Sequence, residues 1–183
     1  MSSIRQNDRM TDVSAWDGSV SIRAAAADDA EQLGRLAFQL VQLHYEWDPL
    51  RFIKIDDPNA PRYGWYLSSR ADEKDTIVLV ATIPESAENG REKIVGYTYA
   101  RMEGKEWNDL RDPCGMLHDI FVDAPSRRKG VARRLAVETF AQLEKMGAPR
   151  ILLKTAAKNE AAQKFFATMG FRDTMIEMTR ERS

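Results

Sequence analysis

The stretch Ile120-Phe121-Val122-Asp123-Ala124-Pro125-Ser126-Arg127-Arg128-Lys129-Gly130-Val131-Ala132 decides the fold. Its apolar start ends a strand that begins at Leu117, and Asp123 to Ser126 is the sharpest turn signal in the chain. Beyond Gly130, Val131, Leu135, Ala136, Phe140 and Leu143 lie on one helical face, which predicts a helix of about 16 residues stopped by Gly147 and Pro149. Ile151-Leu152-Leu153 follows as an unbroken apolar run, the pattern of a strand covered on both faces. Strand, helix and strand at this spacing predict a right-handed parallel crossover. The first turn of a helix carries unpaired N–H groups and a partial positive charge, so the basic run before Val131 reads in two ways. It can receive a diphosphate, with Gly130 allowing close approach to the backbone. It can equally be a solvated helix start. It is neither a GxxxxGK[ST] loop nor a GxGxxG loop.

Outward from that core, Val20 to Ala24 alternates as a strand, and Asp28 with Glu31 resembles a capping arrangement for a helix over 28–45. Pro49, Pro58 and Pro61 make 47–62 a loop. A short helix is expected over 63–70, and strands over 77–81 and 94–100 joined by the polar run Pro84 to Lys93 with its Asn89-Gly90. A last helix carries Ala162, Phe165, Phe166 and Met169, ends at Gly170, and precedes one strand within 172–179. Residues 1–19 read as a mobile leader, and 20–183 as a single domain.

Composition narrows the function. The chain has 183 residues, with 27 basic against 28 acidic side chains. A chain this long buries roughly 70% of its unfolded surface, so it needs no metal or disulfide staple. The near-neutral balance argues against nucleic-acid binding despite Arg127, Arg128, Lys129, Arg133 and Arg134. No apolar run reaches the roughly 20 residues of a membrane span, and the single Cys114 fits a cytoplasmic, reducing setting. Two histidines and one cysteine lack the spacing of a metal site.

The quoted stretch resembles the strand, turn and R/Q-x-x-G-x-G/A loop of the GNAT superfamily of acetyl-CoA-dependent N-acetyltransferases, with Arg127, Gly130 and Ala132 at the signature positions. Asn159-Glu160-Ala161-Ala162-Gln163-Lys164-Phe165-Phe166-Ala167-Thr168-Met169-Gly170-Phe171 resembles the family's second motif, N-x-x-A-x-x-ϕ-Y-x-x-x-G-F. The resemblance implies a mixed α/β (α+β) GNAT-like fold: a central, mostly antiparallel sheet with one splayed parallel strand pair, flanked by helices. It implies acetyl-CoA as co-substrate. Its diphosphate would be held at Arg127, Arg128, Lys129, Gly130, Val131, Ala132 and Arg133, and its pantetheine along Ile120, Phe121 and Val122. Asn159, Phe165 and Phe166 would border it. The acetyl group would pass directly to a primary amine. A plain helix cap is the other reading of Asn159.

One departure stands out, because Phe166 occupies the position where a tyrosine often protonates the departing thiolate. With a thiol pKa of about 8.5, protonation at neutral pH is worth only about 2 kcal/mol, so the loss slows the reaction without forbidding it. The alternative is a non-catalytic acyl-CoA-binding or regulatory module. On the acceptor side, an ammonium with a pKa near 10.4 must lose its proton, at about 4.6 kcal/mol. His118 and Asp119, at the start of the cofactor strand, are the candidate catalytic residues. Strand alternation brings only one of them to the cleft unless a bulge intervenes. His44, Tyr45, Glu46 and Asp48, which end the first helix beside Trp47, are candidates for binding a cationic amine. The short segment after Gly170 suggests that a homodimer partner completes that side.

Overall fold

Five strands form one sheet in the order β1-β2-β3-β4-β5: Ser21–Ala24, Thr76–Pro84, Glu92–Glu103, Cys114–Val122 and Ile151–Leu153. The computed structural model describes residues 20–55, 62–85 and 92–182, so the leader over 1–19 and Asn89-Gly90 lie outside the described residues. All neighbouring strands are antiparallel except β4 and β5, which run parallel with Gly115 opposite Ile151 and Leu117 opposite Leu153. Helices α1 (Ala30–Trp47) and α2 (Arg62–Arg70) cover one face, and α3 (Val131–Lys145) and α4 (Glu160–Ala167) the other. No described helix is long and apolar enough to cross a membrane.

Strand β2, like its neighbour β3, is buried on both faces, and β5 is not; β2 shows it most plainly. Ile77, Leu79 and Ala81 pack in the core beneath Val131, Leu135, Leu143 and Phe166, while Val78 and Val80 join Leu33, Leu36, Ala37 and Leu67 on the other side. Its continuous apolar run is what a doubly covered strand requires. Ile151, Leu152 and Leu153 are only half-buried, because β5 is the outermost strand and only three residues long. The strand expected within 172–179 does not form: those residues belong to no strand, and Met175, Ile176 and Met178 are exposed.

Ahead of α1 it is Asp29, rather than Asp28 or Glu31, whose carboxylate orders the chain, in the turn before the helix and not as a side-chain cap on it. Asp29 closes a 3₁₀ turn over Ala27–Asp29, accepts the Ala26 amide at 2.8 Å, and takes both guanidinium nitrogens of Arg23 at 2.7 and 3.0 Å. Arg23 reaches it from β1, a long-range partner that local spacing cannot announce.

Helices α1 and α2 meet backbone to backbone. A Cβ added to Gly64 would overlap the Ala30 carbonyl and the Gly34 backbone, neither of which can yield as a side chain does. Gly64→Ala is therefore expected to lower stability by about 2 kcal/mol or more, the scale of overpacking in a tight interior. In a domain of this size that is a fall of about 4 to 8 °C in Tm, readable by thermal unfolding. An unchanged Tm would mean that α2 shifts freely on α1.

Candidate active site

Strand β4 loses its β5 partner after Leu117. From His118 to Val122 it continues with no strand on that side, because β5 ends at Leu153. A cavity of about 240 Å³ opens at this point. Leu40, Val41 and His44 of α1, Phe52 and Ile53 of the following loop, and Tyr63 of α2 form one wall; Asn159, Ala162 and Phe166 of α4 form another. Leu117 to Ile120 and Leu153 to Thr155 complete it.

A bulge sits where the two strands separate. Tyr99 of β3 faces Asp119, but Ala100 faces Leu117, so His118 is the extra residue. The bulge turns both His118 and Asp119 to the face that carries Tyr97 and Tyr99, which regular alternation would forbid. Asp119 accepts two hydroxyls on the same oxygen, from Tyr63 at 2.7 Å and Tyr97 at 3.1 Å. Burial pushes its carboxyl above the ordinary range, and the two hydroxyls, with His118 and His44 nearby, only partly offset that rise. Burial and the facing Asp119 carboxylate raise both tyrosines in turn. Burial and the Tyr66 hydroxyl, 3.2 Å away, push Tyr99 up to about 12. The His118 ring stacks on Tyr99 at 5.0 Å, and its Nε2 lies 3.0 Å from Glu103. Burial lowers its pKa, against the pull of Glu103, so it is neutral at neutral pH.

The loop after β4 is built to present amides. Asp123 accepts the Ser126 N–H at 3.1 Å, which sets the turn, and the Arg127 guanidinium braces it by donating to the Val122 carbonyl at 3.0 Å while lying over the Phe121 ring. Arg128 and Gly130 both have left-handed backbones, with φ of 63° and 78°. Such alternation turns neighbouring amides toward a common concavity that suits an anion. The first intrahelical bond runs from the Arg134 N–H to the Gly130 carbonyl, so the amides of Val131, Ala132 and Arg133 precede it. Nothing lies within 4 Å of a Cβ placed on Gly130. The Val131, Phe121 and Val122 side chains are buried in the cores, which leaves only their backbones for a ligand.

Asn159 caps α4, accepting the Ala162 amide at 3.1 Å, and also borders the cavity. Phe166 lines it, with its ring edge-on to Phe165 and Phe171, whereas Phe165 packs against the core beside it. Of the cluster ending α1, only His44 lines the cavity. Its Nδ1 lies 2.8 Å from the Leu40 carbonyl, an acceptor only, so Nδ1 carries the proton and Nε2 is the open nitrogen. Tyr45, Glu46 and Asp48 are not among the lining residues; Asp48 instead accepts the Leu50 and Arg51 amides and shapes the turn. Lys158 donates to the Trp47 carbonyl at 2.6 Å and Arg51 pairs with Glu177, two ties across the cleft mouth. Tyr63, Phe52, Ile53 and Thr155 belong to the site without having been singled out in the sequence. The aromatic Tyr63-x-x-Tyr66 spacing was the one available signal.

The profile of the Acetyltransferase (GNAT) family matches residues 39–171. Among solved structures, a tetramutant of the BH1408 protein from Bacillus halodurans superposes with a TM-score of 0.71 at 20% identity, covering 88% of this chain and 99% of that one. An aminoglycoside N-acetyltransferase in complex with CoA gives 0.62 at 19% identity, covering 90% and 95%. The aminoglycoside antibiotic 6'-N-acetyltransferase of Acinetobacter haemolyticus gives 0.62 at 15%, covering 89% and 98%. No curated protein matches the chain in sequence. With its parted parallel strands, its loop of turned amides at the start of α3 and a profile match over most of its length, the chain belongs to the GNAT acetyltransferase family.

Proposed function

We propose that the chain moves the acetyl group of acetyl-CoA to the primary amine of a small cationic acceptor. Acetyl-CoA is the acyl donor of this family, and when bound it supplies an activated thioester. The described residues fit such a group. A cradle lies open at Gly130, and the β4 edge has lost its strand partner where the cavity lined by Phe166 opens. The loop Arg127 to Arg133 would hold the diphosphate, the β4 backbone from Ile120 to Val122 the pantetheine amides, and Phe166 the apolar end.

The observation that carries the catalytic reading is Asp119, a half-buried carboxylate placed by a bulge where β4 and β5 part. Two tyrosines fix one of its oxygens, and the raised pKa makes it a stronger base than an exposed aspartate. It takes the proton that the ammonium must shed. His118 is engaged with Glu103 and Tyr99, and serves by holding the bulge. His44, Phe52, Ile53 and Tyr63 form the acceptor wall, replacing Glu46 and Asp48 in that role. The two aminoglycoside acetyltransferases among the similar structures support a small amine as the kind of acceptor.

Phe166 favours one second reading, a module that binds acyl-CoA without turnover. Release of free thiol and the mass of the acetylated product, followed over a panel of amines, separate the two. CoA binding without product on every amine would establish the module. Phe166→Tyr is expected to keep or raise turnover, while Phe166→Ala lowers stability by about 3 to 5 kcal/mol, as truncation of a buried ring does. A tenfold fall in turnover with the tyrosine would show that the site depends on an apolar surface there.

A further inference from the structure

Leu153, the last residue of β5, packs on the core that holds Phe166, beneath α3. Side chains of an extended chain alternate in direction, so the next residue, Lys154, turns to the α1 side, where it lines the cavity. Among the described lining residues Lys154 is the one lysine or arginine, and Asp119 the one carboxylate. Leu153 lies opposite Leu117, so Lys154 stands level with His118 and Asp119, while β4 runs on to Val122 before the loop proposed for the diphosphate. The Lys154 charge therefore belongs to the acceptor end of the cavity. A second observation puts it there and shows what that end attracts. Arg51, just beyond α1, grips the Glu177 carboxylate through two nitrogens, Nε to Oε1 and Nη2 to Oε2, the latter at 3.0 Å. Those hydrogen bonds hold the Glu177 carboxyl below the usual range, and the Lys154 charge pulls the same way. A carboxylate of the chain itself thus lies within reach of both cations. Arg51 also sits over the ring of Phe52, which lines the cavity. The Arg51–Glu177 pair is exposed at the mouth, and such surface pairs are weak enough to yield to a ligand.

We propose that Lys154, with Arg51 beside it, binds a carboxylate of the acceptor, so that the substrate is a small amino acid rather than a plain amine or a polyamine. This rests on the acetyl-transfer reading above and narrows its acceptor: Asp119 meets the ammonium end and Lys154 the carboxylate end. A second ammonium in place of that carboxylate meets like charge, and the site rejects a diamine for that reason.

The test is acetylation of matched amines that have the same chain length and differ only at the far end: an ω-amino acid, the plain alkylamine and the diamine, run over a range of lengths. At the best length, kcat/KM for the amino acid is expected to exceed that of both others by at least about tenfold, the discrimination that one charge-assisted contact supplies. Lys154→Met is expected to bring the ratio of amino acid to alkylamine close to unity. Lys154→Glu is expected to turn the order round and make the diamine the best of the set, a gain that a misfolded protein cannot produce. A wild type that takes the alkylamine or the diamine as well as the amino acid overturns the proposal, and so does a Lys154→Met variant that keeps the preference; acetyl transfer stands in both cases. If CoA binds and no amine of any kind yields product, the acetyl-transfer reading falls and the proposal with it.

Discussion

Asp119→Asn is expected to lower kcat by at least about a hundredfold, the lower end of what a positioned general base contributes. The same substitution is expected to raise stability at neutral pH. Burial lifts the folded-state pKa of Asp119 above the ordinary carboxylate value of about 3.9. The unfolded chain therefore ionises first. Folding is not penalised below about pH 4, and the penalty grows as pH rises through the folded-state pKa. Asparagine carries no charge to desolvate, and its carbonyl oxygen can still accept from Tyr63 and Tyr97. The Tm difference between variant and wild type should widen from pH 4 upward and then level. Kinetics give the matching signature: wild-type kcat/KM falls on the acid side with an apparent pKa above the usual aspartate range, and that limb disappears in the variant. Both Tm and kcat within error of wild type would remove Asp119 from the proton path. A large fall in Tm would instead mean that its charge is satisfied by the fold.

The parts of this molecule legible in sequence are those whose cause is local. The Leu117 to Ala132 segment could be read because strand pattern, Asp-Ala-Pro-Ser turn, Gly130 and helical stripe all lie within a few residues of one another. The bulge at His118 is a matter of register between β3 and β4, so alternation could only state the condition under which both polar residues would face the cleft. Tyr63 was hidden for a related reason. On its own helix it stacks with Tyr66 and reads as packing, and only the tight α1–α2 approach at Gly64 carries its hydroxyl to Asp119. Asp48 shows the opposite difficulty, because a carboxylate near a helix end looks the same whether it meets a ligand or, as here, two backbone amides. Ile151 to Leu153 and Met175 to Met178 share a further lesson. An apolar run states that burial would be favourable, but whether a covering element exists is decided by sheet order and by what the rest of the fold places against it.

Gly130→Glu is expected to weaken CoA binding at least about a hundredfold in calorimetry, with the fold kept. Position 130 has a φ of 78°, where a side chain costs about 1 to 2 kcal/mol, and a carboxylate at a helix N-terminus returns about 0.3 to 1 kcal/mol. The net change in Tm should stay within about 5 °C for a chain of this length. Binding suffers for a separate reason. The space beyond Gly130 is open in the free protein, with no atom within 4 Å of a new Cβ, so the glutamate occupies the cradle without a clash and puts its charge against the amides of Val131, Ala132 and Arg133. Those amides would then be satisfied from within, and a diphosphate would meet a like charge. Gly130→Ala isolates the backbone contribution, since it pays the same φ cost with no charge, and its affinity should lie between wild type and glutamate. The salt series supplies a second handle: raising ionic strength should narrow the gap between alanine and glutamate, because screening acts on the charge and not on the strain. If glutamate and alanine weaken CoA equally at every salt concentration, the loss is conformational. If neither weakens it, the diphosphate does not bind at the start of α3.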